Sequence, residues 1–444
     1  MDANPVRSLT KYFIYWKLFL LLVITLSPGP GYDTSTTLLA PRSWATQEQD
    51  VLAAGVSELP LFVRKLVRWD SIYFLKIAER GYLFEQEWAF GYGYTRLLSI
   101  LSPGRTPGVV EIACVGIALS HICHYLSVLV LYALSKTVYR AEVKAGRNVA
   151  FLSALLHIIC PAGAFLSAPY TESVFSLLNF TGFYMYVSAR LDEYTGNHFR
   201  RDIKLLTAGL SFAVATTVRS NGVLSGMLFA SDAIVDVLDA ARHGFSLRSL
   251  RRLCFIFLGG SLILAGVAGS QYPAYNAYCQ SAAVPRNWCR NTIPSIFTWV
   301  QSHYWNVGLF RYWTVSNIPL FLLATPMLLI LGWSSLWALS PIISPLLAIK
   351  GELNTKDKHL QVCLFHFALP QATLAIMAVV GYHVQIITRL CSGYPLWYWC
   401  LSSQMLDRGP NGRKVTFLDR GIVRGLMLYA SIQAALFGSF LPPA

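Results

Sequence analysis

The chain has 444 residues, and its composition excludes the class of soluble globular proteins. Hydrophobic residues make up 55% of the sequence and charged residues 13%, and the mean hydropathy is +0.47. These values are typical of a polytopic membrane protein. The net charge of +14 does not indicate a nucleic-acid partner, because the Lys and Arg residues form short clusters between apolar runs, where they act as topology signals.

A spanning helix needs roughly 20 mostly apolar residues, and such runs recur along the whole chain. We predict spans at about residues 13–29, 110–138, 148–168, 172–189, 253–270, 318–348, 360–381, 390–406 and 421–440. Residues 203–238 fit one span, or two short spans that break at Arg219-Ser220-Asn221-Gly222. The split places more of the 36 Lys and Arg residues on the cytoplasmic side. It predicts an all-α protein with about 11 transmembrane helices and a cytoplasmic N-terminus.

This topology predicts a single integral membrane domain over residues 1–444, with two long loops on the non-cytoplasmic side. The loops cover residues 30–108 and 271–316, and we expect them to carry interfacial helices. The first apolar run lacks a clear small-x-small cleavage site before Pro28-Gly29-Pro30, so we expect a retained helix instead of a cleaved signal peptide. The chemistry is therefore expected on the non-cytoplasmic face.

The first loop contains a candidate catalytic acid. Residues 61–78 show apolar side chains at helical intervals, with Arg64, Lys65, Arg68 and Lys76 on the other side, a pattern typical of an amphipathic helix at the membrane interface. Such a helix would hold Asp70 at headgroup depth, where a carboxylate can accept a proton from an attacking alcohol. The alternative is that Asp70 pairs with Arg68 or caps the turn at Ser71.

Further polar groups fall on the same face in the split topology, and ionisable groups at membrane depth are more often functional than decorative. We predict that these groups bind substrate: Glu172, Arg219, Asn221, His383, Gln385 and Arg389. Arg219 and Arg389 are the candidates for pairing with a phosphate diester. Either arginine could instead be an interfacial anchor, and Arg311 is a third candidate that could instead stack on its aromatic neighbours.

The second loop combines aromatic and amide side chains between Pro294 and Asn306. Trp299 and Tyr304 are candidates for contacting a sugar, whose faces are apolar and whose rim is polar. The alternative is an aromatic belt at the interface. Cys279 and Cys289 lie in the same loop, where an oxidising compartment would let them form a disulfide, although they could also be unrelated thiols. No Cys or His cluster has zinc spacing, so we predict no metal.

Between about Leu66 and Trp399 the sequence contains a series of short blocks, namely Trp69-Asp70, Tyr73-Phe74, Ile77 to Tyr82, Glu87 to Phe90, Ala168 to Ser173, Arg219 to Gly222, Trp288-Cys289, Pro294 to Ile296, Tyr304 to Gly308, Arg311 to Trp313, Ile318-Pro319 and Gln385 to Arg389. In this order the blocks resemble the PIG-V family of glycosylphosphatidylinositol (GPI) mannosyltransferases, particularly its fungal members. The chain departs from animal members at residues 91–96, where they tend to carry a Phe-Pro segment.

The resemblance implies a GT-C-type glycosyltransferase of the endoplasmic reticulum membrane, acting on its lumenal side. Such an enzyme takes mannose from dolichyl phosphate mannose, needs no cofactor, and adds the second mannose of the GPI precursor in an α-1,6 linkage. Because the donor sugar is β-linked, an α product implies inversion. The family's Trp-Asp pair falls on Trp69 and Asp70, with Asp70 as general base and Trp69 shaping the pocket.

The expected partners are therefore a lipid-linked donor and a glycolipid acceptor, and the sequence leaves open a small membrane accessory subunit. Two other classes remain as alternatives. A transporter could use the same buried ionisable groups along a translocation path. A non-catalytic membrane subunit would tolerate loss of the Asp70 carboxylate.

Overall fold

The computed structural model describes residues 4–29, 39, 60–104, 107–140, 144–346, 358–406 and 417–441, and every regular element in these ranges is helical. Residues 30–38 and 40–59 of the predicted first loop lie outside the described ranges. The α-helices are α1 (Pro5–Leu26), α2 (Leu61–Leu66), α3 (Asp70–Arg80), α4 (Tyr92–Leu101), α5 (Val109–Val138), α6 (Lys144–Ile158), α7 (Glu172–Tyr194), α8 (His198–Val218), α9 (Met227–His243), α10 (Leu247–Tyr275), α11 (Ile296–Tyr304), α12 (Ile318–Leu346), α13 (Lys358–Val380), α14 (Ile387–Leu390), α15 (Leu396–Leu406) and α16 (Phe417–Gly438).

Six helices in the described part of the chain are long and apolar enough to cross a membrane. They are α1, α5, α10, α12, α13 and α16, and they make the chain a multi-pass membrane protein. Three other predicted spans are shorter, with 15 residues in α6, 17 in α9 and 11 in α15. Because a perpendicular crossing takes roughly 20 residues, length and composition account for six crossings of the predicted 11.

The predicted break near Arg219 is confirmed. Helix α8 ends at Val218, a 3₁₀ helix covers Ser220–Gly226, and α9 begins at Met227. Gly222 is needed there because a Cβ at this position would lie 2.7 Å from the backbone nitrogen of Thr216. The chain can therefore turn tightly against the end of α8 and present Arg219 and Asn221 at the turn.

The predicted span at 148–168 ends earlier than expected, and the predicted span at 390–406 begins its main helix later than expected. The span at 148–168 stops at Ile158, and a separate 3₁₀ turn, Gly163–Leu166, follows Pro161. The span at 390–406 becomes the single turn α14, a 3₁₀ turn at Cys391–Gly393 and the helix α15. Pro161 and Pro395 explain both differences, because a proline removes a backbone donor and disfavours helix at the preceding residue.

The prediction of one continuous amphipathic helix over residues 61–78 is wrong. The chain forms α2 and α3 with a break at residues 67–69, where Trp69 has φ 54° and cannot continue a helix. Its basic side chains are not all on an exposed side either, since Lys65 and Arg68 are buried. Lys65 Nζ donates to the carbonyl oxygens of Ser27 and Gly438, which ties the loop to the ends of α1 and α16.

Two glycines let α8 and α10 approach closely. A Cβ at Gly209 would lie 2.7 Å from the carbonyl oxygen of Gly259 and 2.8 Å from its Cα. Small residues at such crossings allow helix backbones to pack closely within a membrane. This contact positions α10, whose last turns form part of the cavity described below.

We expect Gly209→Leu to force the two helices apart and to lower the free energy of unfolding by about 1–3 kcal/mol, the usual cost of overpacking. The measurement is the midpoint of thermal unfolding of the purified protein in detergent. Gly269→Leu is the matched control, because no atom lies within 4 Å of a Cβ at that exposed position of α10. Equal midpoints for the two variants would contradict the close contact.

Candidate active site

The loops and helix ends at one end of the bundle enclose a cavity of about 590 Å³. Four of the predicted site residues line it, namely Asp70, Arg219, Asn221 and His383. Among the described lining residues, Asp70 and Arg219 are the only ones with a formal charge at neutral pH. The cavity therefore presents one carboxylate and one guanidinium to whatever it binds.

Asp70 is the first residue of α3 and is held by Arg389. Both terminal nitrogens of the Arg389 guanidinium donate to Asp70 Oδ2 at 3.2 Å. The Asp70 side chain remains 40% exposed, and Oδ1 accepts no hydrogen bond from any described residue. One carboxylate oxygen is thus fixed while the other is available in the cavity. The pairing with Arg68 considered from the sequence is replaced by this pairing with Arg389.

Glu172 connects the two arginines beneath the cavity. Its Oε1 lies 2.6 Å from Arg219 Nη1 and 3.8 Å from Arg389 Nε, and its side chain is buried. Arg219 Nη1 also donates to Thr171 Oγ1 at 2.7 Å. The Nε and Nη2 groups of Arg219 donate to no described residue. Glu172 therefore contacts both guanidinium groups, whereas Arg219 keeps two donor groups that bond to no described residue.

The Arg389 guanidinium is also enclosed by aromatic rings. Its Cζ lies 4.6 Å from the centre of the Phe165 ring and 5.7 Å from that of Tyr170. Burial on its own would lower the pKa of Arg389, but the carboxylates of Asp70 and Glu172 outweigh it and raise the pKa above its ordinary value. The guanidinium is therefore permanently charged and held in one place.

Trp69 does not line the cavity but sets the direction in which Asp70 leaves the backbone. Its φ of 54° and ψ of −126° are strained for a residue other than glycine. The ring packs edge-on against Phe440 with centroids 5.0 Å apart, and the Arg68 guanidinium lies 4.5 Å from the centre of the same Phe440 ring. Tyr170 donates to the Arg68 carbonyl oxygen at 2.8 Å. These contacts hold the strained turn from both sides.

Of the predicted polar groups after α13, one reaches the cavity. His383 lines it, stacks on Tyr312 with centroids 4.8 Å apart, and lies 3.3 Å through Nε2 from the carbonyl oxygen of Trp305. Burial lowers the pKa of His383, although the Trp305 carbonyl oxygen and Asp70 oppose this change. Gln385 lies outside the lining and accepts a hydrogen bond from the Tyr312 hydroxyl at 3.1 Å.

Asn221 and Arg311 have different environments. Asn221 Nδ2 donates to the Tyr394 hydroxyl at 3.2 Å, and that hydroxyl donates to the Asn221 carbonyl oxygen at 3.0 Å. These reciprocal bonds fix the turn that presents Arg219. Arg311 is exposed and is not among the residues that line the cavity.

The second loop faces the cavity with other side chains than the sequence predicted. Trp299 stacks on His303 with centroids 4.6 Å apart, and Tyr304 donates to Glu85 at 3.0 Å, so neither lines the cavity. The same segment contributes Phe297, Thr298, Gln301 and Trp305 to the lining. Successive side chains of α11 point about 100° apart around the helix axis, and aromatic residues occur at several positions of the segment, so its composition does not show which side chains face the cavity.

Cys279 and Cys289 form a disulfide, with Cα atoms 5.6 Å apart. Next to Cys289, Trp288 is buried and donates through Nε1 to Glu85 at 3.2 Å. Glu85 begins the 3₁₀ helix Glu85–Ala89 of the first loop. The disulfide-closed segment thus connects the second loop to the segment of the first loop that carries Trp88 and Phe90 into the cavity wall.

A bundle of apolar helices with a carboxylate and a guanidinium facing one cavity defines a multi-pass membrane protein with a charged cavity at one end of its helices. The chain belongs to the mannosyltransferase (PIG-V) family, which it matches over residues 6–444. It is therefore a membrane-embedded glycosyltransferase, and the resemblance read from the sequence is confirmed.

Several curated relatives match the chain over nearly its whole length. It is 48% identical to the GPI mannosyltransferase 2 of Aspergillus oryzae over 99% of this chain and 96% of that protein. It is 28% identical to the GPI mannosyltransferase 2 of Saccharomyces cerevisiae over 99% of this chain and all of that protein (100%). Among solved structures, the Archaeoglobus fulgidus oligosaccharyltransferase aligns at 12% identity and a TM-score of 0.44, over 98% of this chain and 55% of that chain.

We expect Arg389→Lys to lower kcat by more than about tenfold while KM and the unfolding midpoint stay near wild type. A single ammonium cannot present two donors to Asp70 Oδ2 and a third group to Glu172, so the carboxylate loses its fixed orientation. The measurement is steady-state mannosyl transfer by purified enzyme. Arg311→Lys, at an exposed arginine outside the cavity, is the control, and a wild-type kcat for Arg389→Lys would show that Arg389 is only an anchor.

Proposed function

We propose that this chain is a GT-C-type α-1,6-mannosyltransferase that moves mannose from dolichyl phosphate mannose to the mono-mannosylated GPI precursor. The relatives named GPI mannosyltransferase 2 support the acceptor class, and they align with nearly the whole chain. The observation that carries the proposal is the pair of charges in one cavity. Asp70 offers a free carboxylate oxygen, and Arg219 offers free guanidinium donors.

These two groups match the two ends of a displacement at the anomeric carbon of mannose. Asp70 Oδ1 accepts the proton of the acceptor hydroxyl as its oxygen forms the new bond to the anomeric carbon. The bond from that carbon to the phosphate oxygen breaks, and dolichyl phosphate leaves with the bonding electrons. Arg219 then stabilises the added charge on the departing phosphate. A β-linked donor attacked in this way gives an α-linked product with no covalent enzyme intermediate.

We further propose that the cavity faces the lumen of the endoplasmic reticulum and that eleven helices cross the membrane. Support comes from the split at Arg219, which returns the chain after α8, and from the basic clusters, which then fall mainly on the opposite side. The helices α6, α7, α8, α9 and α15 bring the six long apolar helices to this count. Of these, α15 is enclosed by its neighbours, with Trp397, Tyr398 and Trp399 all fully buried.

Asp70→Asn keeps the shape of the side chain but cannot accept the proton, so we expect loss of transfer by about 10²-fold or more. The assay uses microsomes, radiolabelled dolichyl phosphate mannose and the mono-mannosylated precursor, and the linkage of the product reports inversion. Glu79→Gln, in the same helix and paired with Lys76, is the control. Normal transfer by a well-expressed Asp70→Asn enzyme would contradict the general-base role.

We propose that the reaction requires no metal, because a phosphate leaving group needs charge stabilisation and the free donors of Arg219 can supply it. Millimolar chelator is therefore expected to leave the transfer rate unchanged in the microsomal assay. The matched sample receives chelator followed by excess manganese. A loss of activity that manganese restores would overturn this part of the proposal.

A further inference from the structure

Among the side chains that line the cavity, two apolar sets lie next to its two charged residues. One set is aromatic and begins next to Asp70, with Tyr73, Phe90 and Trp305. The other set is aliphatic and follows Arg219, with Val223 and Leu224 in the same 3₁₀ helix. Aliphatic side chains beside a guanidinium suit a phosphate attached to a hydrocarbon chain, whereas aromatic faces beside a carboxylate suit a sugar ring.

The aromatic set forms a connected surface. The Tyr73 and Phe90 rings stack with centroids 4.6 Å apart and an interplanar angle of 13°. Phe90 meets the Trp305 ring edge-on at 5.8 Å. Tyr73 is 37% exposed and lies three residues after Asp70, which is one turn along α3. The surface therefore starts beside the proposed base and extends along the wall toward the second loop.

An amide side chain on the same wall can supply hydrogen bonds. Gln301 lies four residues before Trp305 and also lines the cavity. Its backbone carbonyl oxygen accepts from the Val307 nitrogen at 2.8 Å, while its side-chain amide bonds to no described residue. One donor group and one acceptor atom on the Gln301 side chain are thus available for the hydroxyl groups at the rim of a sugar.

We propose that Tyr73, Phe90 and Trp305, with Gln301 at their edge, bind a hexose ring of the acceptor glycan and hold its attacking hydroxyl at Asp70. This subsite rests on the proposed function, because it assigns the acceptor to the side of the cavity that carries the base. A hexose packs its apolar face on the ring of Tyr73, and its rim hydroxyls reach the Gln301 amide. The donor then takes the side lined by Arg219, Val223 and Leu224.

The test compares Tyr73→Ala, Tyr73→Phe and Gln301→Ala by steady-state kinetics, with donor and acceptor varied separately. We expect Tyr73→Ala to raise KM for the mono-mannosylated acceptor about tenfold and to leave KM for dolichyl phosphate mannose within about twofold. Tyr73→Phe, which keeps the ring, should stay near wild type. Phe199→Ala, at an aromatic residue that is 69% exposed at the start of α8, is the matched control.

A second measurement separates binding from turnover and from folding. The acceptor is titrated calorimetrically into the Asp70→Asn protein, with and without the additional Tyr73→Ala substitution. If Tyr73→Ala unfolds at a lower temperature than the parent protein, Trp305→Leu takes its place. Weaker acceptor binding with unchanged donor binding supports the subsite. If the wild-type enzyme transfers mannose, an unchanged KM for the acceptor in Tyr73→Ala, or an equal rise in KM for the donor, overturns the subsite. If the wild-type enzyme transfers no mannose, the proposed function itself is wrong.

Discussion

The orientation of the Asp70 carboxylate by Arg389 is the constraint on which the rest of the site depends. Without this partner, the carboxylate of Asp70, the first residue of the short helix α3, would be free to rotate, since a non-helical turn precedes the helix. Arg389 prevents this by occupying Oδ2 with two donors. Its own position is fixed by the Phe165 and Tyr170 rings. A residue near each end of the sequence is thus coupled to form one reactive group.

The charged cluster balances its charges before any substrate arrives. Asp70, Arg389, Glu172 and Arg219 form a series of alternating charges with a net charge of zero. A buried arginine without Glu172 would be costly, since isolated charges in a low-dielectric site are strongly unfavourable. Because the series is neutral, the phosphate diester of the donor that we propose would add one negative charge next to free donors of Arg219. In the proposed reaction, the added charge of the leaving phosphate would develop beside a guanidinium that is already held in place, so little reorganisation would be needed.

Hydropathy predicts the existence of most helices in this chain, and the distribution of basic residues predicts the break at Arg219. The sequence also brings Asp70, Arg219, Asn221 and His383 to one face. It cannot predict that residues 61–78 form two helices, because the positive φ of Trp69 depends on Phe440, which is remote in sequence. The sequence also does not show that Arg219 lines the cavity while Arg389 does not. That difference depends on which guanidinium group the carboxylates of Asp70 and Glu172 already contact. Nor does the sequence show that Trp305, which follows the end of α11, lines the cavity while Trp299 within α11 does not.

Glu172 also fixes the spacing between the Asp70 carboxylate and the Arg219 guanidinium. Its Oε1 contacts Arg219 directly and lies near Arg389, which in turn holds Asp70. The in-line displacement that we propose needs the attacking oxygen and the leaving oxygen on opposite sides of one carbon, so the groups that serve them would have to keep a constant separation. A single buried carboxylate shared by both arginines provides this more rigidly than two independent side chains. The disulfide-closed segment and Glu85 hold the part of the wall that the two loops form, so the sugar subsite that we propose would lie against a fixed surface.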